Sequence, residues 1–261
     1  FENGENILET CPASEAVVYL KDNNMYVTRG LKVWQLSTDG SRDIVYGQSV
    51  HRDEFGIRKG TYWSNDGEKL AFYRMDQSMV TDYPQVDIPE IGFNHPETQS
   101  CIATAAPDKY PMAGETSHKV TVGVFNLNTG KTVYLQAGDP TDRYFTNISW
   151  SPDSKTIYMF ELNRDQNDCH LVAYNAETGK KQCELYHETD EKYVEPQNPI
   201  VFLPWDSNSF IMQSRKDGYN HLYLCTLGKE NKLNIRQLTS GKWEVMDMLG
   251  FNTKRKSIII A

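Results

Sequence analysis

WSNDGEKLAF (Trp63–Phe72) and WSPDSKTIYM (Trp150–Met159) are two copies of one pattern, in which an aromatic residue precedes a polar turn and a run of β-forming residues. Asn, Asp, Pro and Gly favour tight turns, and alternating apolar residues favour strands. Weaker copies of the pattern are centred on Pro12, Pro204 and Asn252. Each copy predicts a hairpin, with one strand ending at the turn and the next beginning after it.

The spacing of these hairpins indicates a repeat. The turns lie at Pro12, Asn65, Pro152, Pro204 and Asn252, at intervals of 53, 87, 52 and 48 residues. Three of the intervals are close to the roughly 40–50 residues of a β-propeller blade. We assign the long interval to an insertion at about residues 76–117. The sequence therefore predicts an all-β fold, a β-propeller of about four to five blades over residues 1–261. The alternative is that this common hairpin turn recurs without a repeat.

Composition excludes several classes of protein. The 261 residues suffice for one large all-β domain, and they include 27 basic and 35 acidic side chains, a net charge of -8. This balance argues against a nucleic-acid partner, because phosphate binding needs a cationic surface. No apolar run approaches the roughly 20 residues of a membrane span. The first residue, Phe1, and the strand-like ending Ser257–Ala261 lead us to expect a fragment of a longer protein.

The cysteine and histidine patterns give no metal site. The five cysteines are Cys11, Cys101, Cys169, Cys183 and Cys225, and none forms a C-x-x-C pair. The histidines His51, His118, His187 and His221 show no ligand spacing either. Cys169 and Cys183 flank a predicted hairpin turn at 173–180, so a disulfide between them is expected, which would indicate an oxidising compartment. Two unrelated buried thiols are the alternative.

Several further stretches are more particular than a generic blade. They are Glu54–Gly56, Tyr62–Ser64, Tyr110–Gly114, Asp217–Tyr223 and Gly241–Val245. In this order they resemble the N-terminal propeller of the dipeptidyl peptidase IV family of serine peptidases, and the resemblance covers nearly the whole chain. It implies an eight-bladed propeller followed by an α/β-hydrolase domain that holds the catalytic Ser, Asp and His. The present chain has no G-x-S-x-G motif. We therefore expect a fragment that lacks the hydrolase domain and contains no catalytic residue.

The resemblance also implies a substrate-binding site. The family's double-glutamate motif, which binds the free N-terminus of the peptide substrate, corresponds here to Asp53 and Glu54. Carboxylates suit an ammonium group because charge-assisted hydrogen bonds are strong. Asp53 departs from the motif by one methylene, so Glu54 is the main candidate. Phe55, Tyr193 and Glu195 are candidate pocket residues. The alternatives are an acidic start of a helical turn for Asp53 and Glu54, core packing for Phe55, and an ordinary blade connection for Tyr193 and Glu195.

The resemblance implies that the whole protein is a periplasmic or secreted exopeptidase that needs no cofactor. It would release N-terminal dipeptides with Pro or Ala at the penultimate position. Its partners would be the peptide substrate, the hydrolase domain of the same polypeptide and, through the insertion, a second copy in a homodimer; a solvated loop is the alternative role for the insertion. Prolyl tripeptidyl peptidases, which are bacterial members of the family, remain an alternative because of Asp53. A stand-alone peptide- or protein-binding propeller is another alternative, whereas the Asp217–Tyr223 and Gly241–Val245 motifs argue against propellers of the Tol system or of prolyl oligopeptidases.

Overall fold

Antiparallel sheets of about four strands follow one another along the chain in the computed structural model, which describes residues 4–88 and 103–261. The first sheet contains, in spatial as in chain order, β1 (Glu5–Thr10), β2 (Val17–Lys21), β3 (Asn24–Arg29) and β4 (Lys32–Gln35). Such a meander, with each strand paired to the next, is the blade of a β-propeller.

The second blade has a split innermost strand. Its strands are β5 (Ile44–Tyr46), β6 (Thr61–Trp63), β7 (Lys69–Asp76), β12 (Lys119–Asn126) and β13 (Lys131–Tyr134). Both β5 and β6 pair with β7, and β12 and β13 complete the sheet. The residues between β5 and β6 leave the sheet, and they include the Asp53–Glu54 pair.

The insertion leaves and re-enters this blade at one place. Asp76 and Lys119 are paired neighbours at the ends of β7 and β12. Between them lie two short ribbons, formed by β8 (Asp82–Tyr83) with β11 (Asp108–Lys109) and by β9 (Val86–Asp87) with β10 (Thr104–Ala105). Cys101 lies outside the described residues.

The third and fourth blades are regular, and a two-stranded sheet follows them. The third contains β14 (Arg143–Trp150), β15 (Thr156–Asn163), β16 (Asp168–Asn175) and β17 (Lys181–Thr189). The fourth contains β18 (Val201–Leu203), β19 (Asp206–Ser214), β20 (His221–Leu227) and β21 (Leu233–Gln237). The last sheet pairs β22 (Met248–Asn252) with β23 (Ser257–Ile260). The predicted all-β propeller is confirmed, and no helix within the described ranges is long and apolar enough to span a bilayer.

The repeated hairpin turns bind one another across the blades. Trp150 donates from its indole Nε1 to the carbonyl of Tyr62 at 3.0 Å. Asn65 donates from its side-chain amide to the carbonyl of Ser151, also at 3.0 Å, in the corresponding turn of the next blade. Within the turn, Ser151 donates to the carboxylate of Asp153 at 2.6 Å. The W-S-x-D pattern therefore both closes a hairpin and joins neighbouring blades.

The hydrophobic cores lie between the blades. Phe72 and Met25 belong to the core between the first and second blades, and Tyr73 and Met159 to the next core along the chain. A blade that lies between two others is thus buried on both faces, which accounts for the apolar runs of the sequence. Residues of the innermost strands of the four blades, with their hairpin turns, line an open cleft of about 670 Å³.

The expected disulfide between Cys169 and Cys183 is corrected by the structure. Cys169 pairs with Glu188 across the ladder and Cys183 pairs with Ala173, so the two cysteines lie four positions apart. At about 3.3 Å per residue this exceeds the roughly 7 Å limit for bridged Cα atoms. The hairpin closes with Tyr174 opposite Lys181, so an unbroken ladder would already place Cys183 opposite Val172, and one irregularity moves its partner to Ala173. Both thiols are free.

Candidate functional site

The segment His51–Gly56, the acidic loop, interrupts the innermost strand of the second blade and has an unusual backbone. His51, Arg52, Asp53 and Phe55 have φ of 55°, 56°, 63° and 58°. Residues other than glycine in this left-handed region cost roughly 1–2 kcal/mol each. Such a conformation persists only where the surrounding structure fixes it, and it often marks a functional site.

His51 anchors the beginning of the loop. It is 2% exposed, and its Nε2 accepts a hydrogen bond from the backbone N–H of Phe145 at 3.3 Å. The proton of the neutral ring is therefore on Nδ1, which lies 3.0 Å from Nε2 of His118 and donates to it. Burial lowers the pKa of His51 well below its usual value, and the nearby His118 lowers it further. Burial, followed by the charges of Arg164 and Arg52, lowers the pKa of His118 to about 4. Both rings are neutral at pH 7.

Phe55 anchors the end of the loop. It is 1% exposed and packs against the ring of Tyr144, with the ring centroids 5.1 Å apart. It belongs to the core between the third and fourth blades, together with Val194 and Ile200. Phe55 is thus a core residue rather than a residue of an open pocket, and its burial holds the loop against the neighbouring blades.

Between the two anchors, Asp53 and Glu54 are exposed to solvent. Neither carboxylate has a side-chain partner among residues 4–88 and 103–261. The adjacent cation, Arg52, is engaged elsewhere: its Nη1 lies 2.8 Å from a carboxylate oxygen of Asp108, and its guanidinium lies 5.0 Å from the ring centroid of Tyr110. A residue of the insertion therefore binds the positive charge of Arg52, and the loop presents two adjacent carboxylates that have no counterion in the described part of the chain.

The segment that contains Tyr193 and Glu195 lies beside the acidic loop. A Cβ on Gly56 would lie only 2.2 Å from the carbonyl oxygen of Gln197, so the two segments are in direct contact. Asn147 secures the second segment by donating to the carbonyl of Pro196 at 2.7 Å. Tyr193 is 53% exposed and Glu195 is half-buried.

Three of the predicted residues line two clefts rather than one, and Glu54 lines neither of them. Tyr193 and Glu195 line a small cleft of about 80 Å³ together with Arg215. Asp53 lines another, of about 220 Å³, together with His118. The structure thus brings the two predicted segments into contact without joining them in a single pocket.

Sequence reasoning missed the residues that hold the loop. His51 and His118 are 67 positions apart, so no local spacing pointed to their contact. Asp108 and Tyr110 lie in the predicted insertion, where no periodic pattern indicated a partner for Arg52. The one indication in the sequence was Arg52, directly before Asp53 and Glu54. A cation at that position would neutralise the two carboxylates unless another residue bound it.

The chemistry open to this arrangement is recognition of a cation. Two carboxylates on a fixed backbone can accept the hydrogen bonds of a primary ammonium group, each contributing about 1.5–3 kcal/mol. A neutral group would leave the local negative charge uncompensated. The loop is therefore suited to binding the protonated N-terminus of a peptide.

Comparison with known proteins shows which proteins the chain is similar to. The model of the dipeptidyl peptidase IV (DPP IV) N-terminal region matches residues 3–260. Among solved structures, a protein of Bacteroides ovatus assigned as a dipeptidyl aminopeptidase IV superposes with a TM-score of 0.86 at 50% identity, over 99% of this chain and 37% of the other. The dipeptidyl peptidase 4 of Porphyromonas gingivalis superposes with a TM-score of 0.78 at 25% identity, over 94% of this chain and 34% of the other.

Fungal relatives show the same similarity. "Probable dipeptidyl-aminopeptidase B" of Uncinocarpus reesii is 30% identical over 256 residues, which are 90% of this chain and 28% of the relative. The chain thus spans less than two fifths of the relatives and structures that it matches.

Proposed function

The chain belongs to the dipeptidyl peptidase IV family, as its N-terminal region, and from this we propose that it is the substrate-gating, amine-anchoring propeller of a serine exopeptidase. The whole protein would release N-terminal dipeptides with Pro or Ala at the penultimate position. Catalysis would reside in an α/β-hydrolase domain of the same polypeptide.

One observation carries the proposal: Asp53 and Glu54 are exposed, have no side-chain partner among the described residues, and lie beside Arg52, which is paired with Asp108. An exopeptidase must count residues from a free N-terminus, so it needs a cation-binding group at a fixed distance from its nucleophile. A flexible carboxylate would bind an amine equally well but would not define that distance. The buried anchors His51 and Phe55 meet this requirement.

The chemical steps divide between the two domains. The carboxylate of Glu54, with Asp53 beside it, would accept hydrogen bonds from the substrate ammonium. The serine hydroxyl of the hydrolase domain would then attack the carbonyl of the second residue, with a histidine accepting its proton. The amine of the shortened peptide would leave with that proton, and water would release the dipeptide from the serine.

Asp53 favours a second candidate within the same class, a prolyl tripeptidyl peptidase. Its side chain is one methylene shorter than the glutamate of the family motif, and its backbone is left-handed while that of Glu54 is not. The two carboxylates therefore extend unequally from the loop. A site with Glu54 as its main ligand suits an amine placed differently from that of a dipeptide.

The test compares Gly-Pro and Ala-Ala-Pro chromogenic substrates, each with a free and an acetylated N-terminus, on the full-length polypeptide. The proposal requires cleavage that depends on the free amine and that falls in Glu54→Gln. Glu177→Gln, which removes an exposed carboxylate on a distant hairpin, is the matched control. The preferred substrate distinguishes dipeptide from tripeptide release. Cleavage of acetylated substrates, or equal activity of Glu54→Gln and Glu177→Gln, would reject the amine anchor, and no cleavage would favour a peptide-binding propeller.

We also propose that the whole protein is a homodimer, with the β8–β11 insertion contributing to the contact, and that it is periplasmic or secreted. Light scattering of the full-length protein tests the first point, and fractionation of the source cells tests the second. The free thiols of Cys169 and Cys183 remove the disulfide as an argument for an oxidising compartment.

A further inference from the structure

Two histidines and an aspartate converge on the outer part of the third blade, away from the acidic loop. Asp168, His170 and His187 each offer a ligand atom, and these atoms all lie within 4.8 Å of one another. All three side chains are partly exposed, so ions in solution can reach them.

The strand register explains why these residues meet. Asp168 and His170 are two positions apart on β16, so they face the same side of the sheet. His187 is the direct partner of His170 on β17. The two imidazole rings are stacked, with their centroids 4.2 Å apart and their planes 6° from parallel.

The distances fit a coordination sphere. Oδ1 of Asp168 accepts a hydrogen bond from Nε2 of His187 at 2.6 Å and lies 3.2 Å from Nε2 of His170. Metal–ligand bonds of about 2.0–2.1 Å in a tetrahedron separate neighbouring ligand atoms by roughly 3.3 Å. The distance from Asp168 to His170 already has this value, and a bound ion would replace the proton between Asp168 and His187, which lengthens the second distance. The exposed side of the cluster leaves a fourth position for water.

A β-bulge supplies an independent observation. The pairing of β16 with β17 is irregular between Leu171 and Val172, where Leu185 is the extra residue on β17. Glu184 and His187 are three positions apart and would face opposite sides of a regular strand, but the bulge turns both toward His170. Bulges commonly re-aim a side chain in this way.

The bulge gives His170 a partner on its other nitrogen. The carboxylate of Glu184 lies 3.2 Å from Nδ1 of His170, whereas Nε2 faces Asp168. Nδ1 of His170 is buried and has no well-aligned hydrogen bond in the described structure. Histidine ligands of metals usually have a carboxylate or carbonyl on the nitrogen that does not bind the metal, which fixes the ring and strengthens the ligand.

Nearby charges do not occupy the cluster. Nζ of Lys181 lies 4.0 Å from Oε2 of Glu184, whereas it is Oε1 of this carboxylate that lies beside His170. Glu161, the partner of His170 on β15, is engaged by Arg143 and by the hydroxyl of Tyr174. Among the described residues no lysine or arginine pairs with Asp168, so a bound ion would replace the hydrogen bond between Asp168 and His187.

We propose that Asp168, His170 and His187 bind a divalent transition-metal ion of the zinc class, and that Glu184 positions His170. Two imidazoles and one carboxylate suit Zn²⁺, Co²⁺ or Ni²⁺ better than Ca²⁺ or Mg²⁺, which prefer oxygen ligands. Because the ligands lie on β16 and on the outermost strand β17, the ion would fasten the edge of the blade. The site shares no residue with the acidic loop and does not depend on the proposed peptidase function.

The test uses the full-length polypeptide after treatment with a chelator, titrated with Zn²⁺ alone by calorimetry. We expect one equivalent bound with micromolar or tighter affinity, and a rise in melting temperature with added Zn²⁺. His170→Ala and His187→Ala should each weaken binding by about 100-fold, and Glu184→Gln by about 10-fold. Asp165→Asn removes an exposed carboxylate from the β15–β16 turn and should bind as the wild type does.

Co²⁺ provides a second measurement, because its visible absorption reports nitrogen and oxygen ligands directly. The bands should appear with wild-type protein and disappear in the His170→Ala/His187→Ala double variant, whose folding is checked by circular dichroism. Absence of saturable Zn²⁺ binding, binding weaker than micromolar, or an unchanged Co²⁺ spectrum in the folded double variant would overturn the proposal. Peptidase activity is measured separately, since its loss or retention does not bear on the metal site.

Discussion

Nε2 of His118 lies 3.0 Å from Nδ1 of His51. His118, at the end of the insertion, therefore supports the first residue of the acidic loop. His118 directly precedes β12, and His51 begins the acidic loop. The contact is buried, and both rings are neutral at pH 7 because burial lowers the pKa of each. The position of Asp53 and Glu54 thus depends on a pair that is distant in sequence and sensitive to acid.

Substitution of Glu54 should weaken substrate binding. Because a charge-assisted hydrogen bond contributes about 1.5–3 kcal/mol, Glu54→Gln should raise KM of the full-length enzyme roughly 10- to 150-fold. Asp53→Asn should have a smaller effect, since its side chain is shorter. Steady-state kinetics with free-amine substrates measures both. A larger effect at Asp53 than at Glu54 would reverse the assignment.

Release of Arg52 should also weaken substrate binding. In Asp108→Asn the guanidinium loses its ion pair, which spans 2.8 Å in the wild type, and can turn toward the neighbouring carboxylates in competition with the substrate ammonium. We expect a several-fold rise in KM, an unchanged kcat and a loss of stability under about 1 kcal/mol. Asp87→Asn, an exposed carboxylate on the same insertion, is the control. The Arg52→Ala/Asp108→Asn double variant should recover the wild-type KM, and failure to recover it would exclude competition by Arg52.

The histidine pair should make the protein sensitive to acid. The pKa of His118 falls from 6.5 in the unfolded chain to about 4 in the folded one. As the pH falls through 6.5, the unfolded chain takes up the proton first, so stability is lost between pH 6.5 and about 4. His118→Gln, which keeps a hydrogen-bond acceptor, should lose roughly 2–3 kcal/mol less over this window than the wild type. Urea unfolding at a series of pH values measures the difference. The two curves should run parallel above pH 7, and equal losses below pH 6.5 would contradict the assignment.

Two glycines of the same backbone type should respond differently to alanine. Gly56 and Gly114 have φ of 71° and 80°, but a Cβ on Gly56 would meet the carbonyl of Gln197 at 2.2 Å while one on Gly114 meets nothing within 4 Å. We expect Gly56→Ala to lower the free energy of unfolding by about 3 kcal/mol or more and Gly114→Ala by about 1 kcal/mol. Denaturant unfolding compares the two. Equal costs would mean that the contact between the acidic loop and Gln197 is absent in solution.

The cysteines should label in an order set by burial. Cys183 is half-buried on the outermost strand of its blade, whereas Cys11, Cys169 and Cys225 are buried. Burial raises the pKa of the Cys225 thiol to about 12, which removes the reactive thiolate. Iodoacetamide should therefore modify Cys183 in the native protein and the other three after unfolding, as read by mass spectrometry. A peptide cross-linked through Cys169 and Cys183 would contradict the observed register.

The repeat could be predicted from the sequence because its W-S-x-D turns contribute both hairpin closure and contacts between blades. Turns between paired strands do lie at Asn65 and Pro152. The separation of Cys169 from Cys183 could not be predicted, since it follows mainly from the closing of the hairpin with Tyr174 opposite Lys181, a register that the turn residues alone do not fix. The support of the acidic loop by His118 could not be predicted either, because it depends on how two segments that are distant in sequence pack together.

The pairing of Asp76 with Lys119 affects how long the segment between them can be. A segment whose two ends are already held side by side by a sheet adds little loop-closure entropy when it lengthens, because that entropy grows only with the logarithm of length. The second blade can therefore carry an inserted segment of a different length at this position at little entropic cost. Such a segment would still have to place an acidic and an aromatic residue beside Arg52, as Asp108 and Tyr110 are placed here.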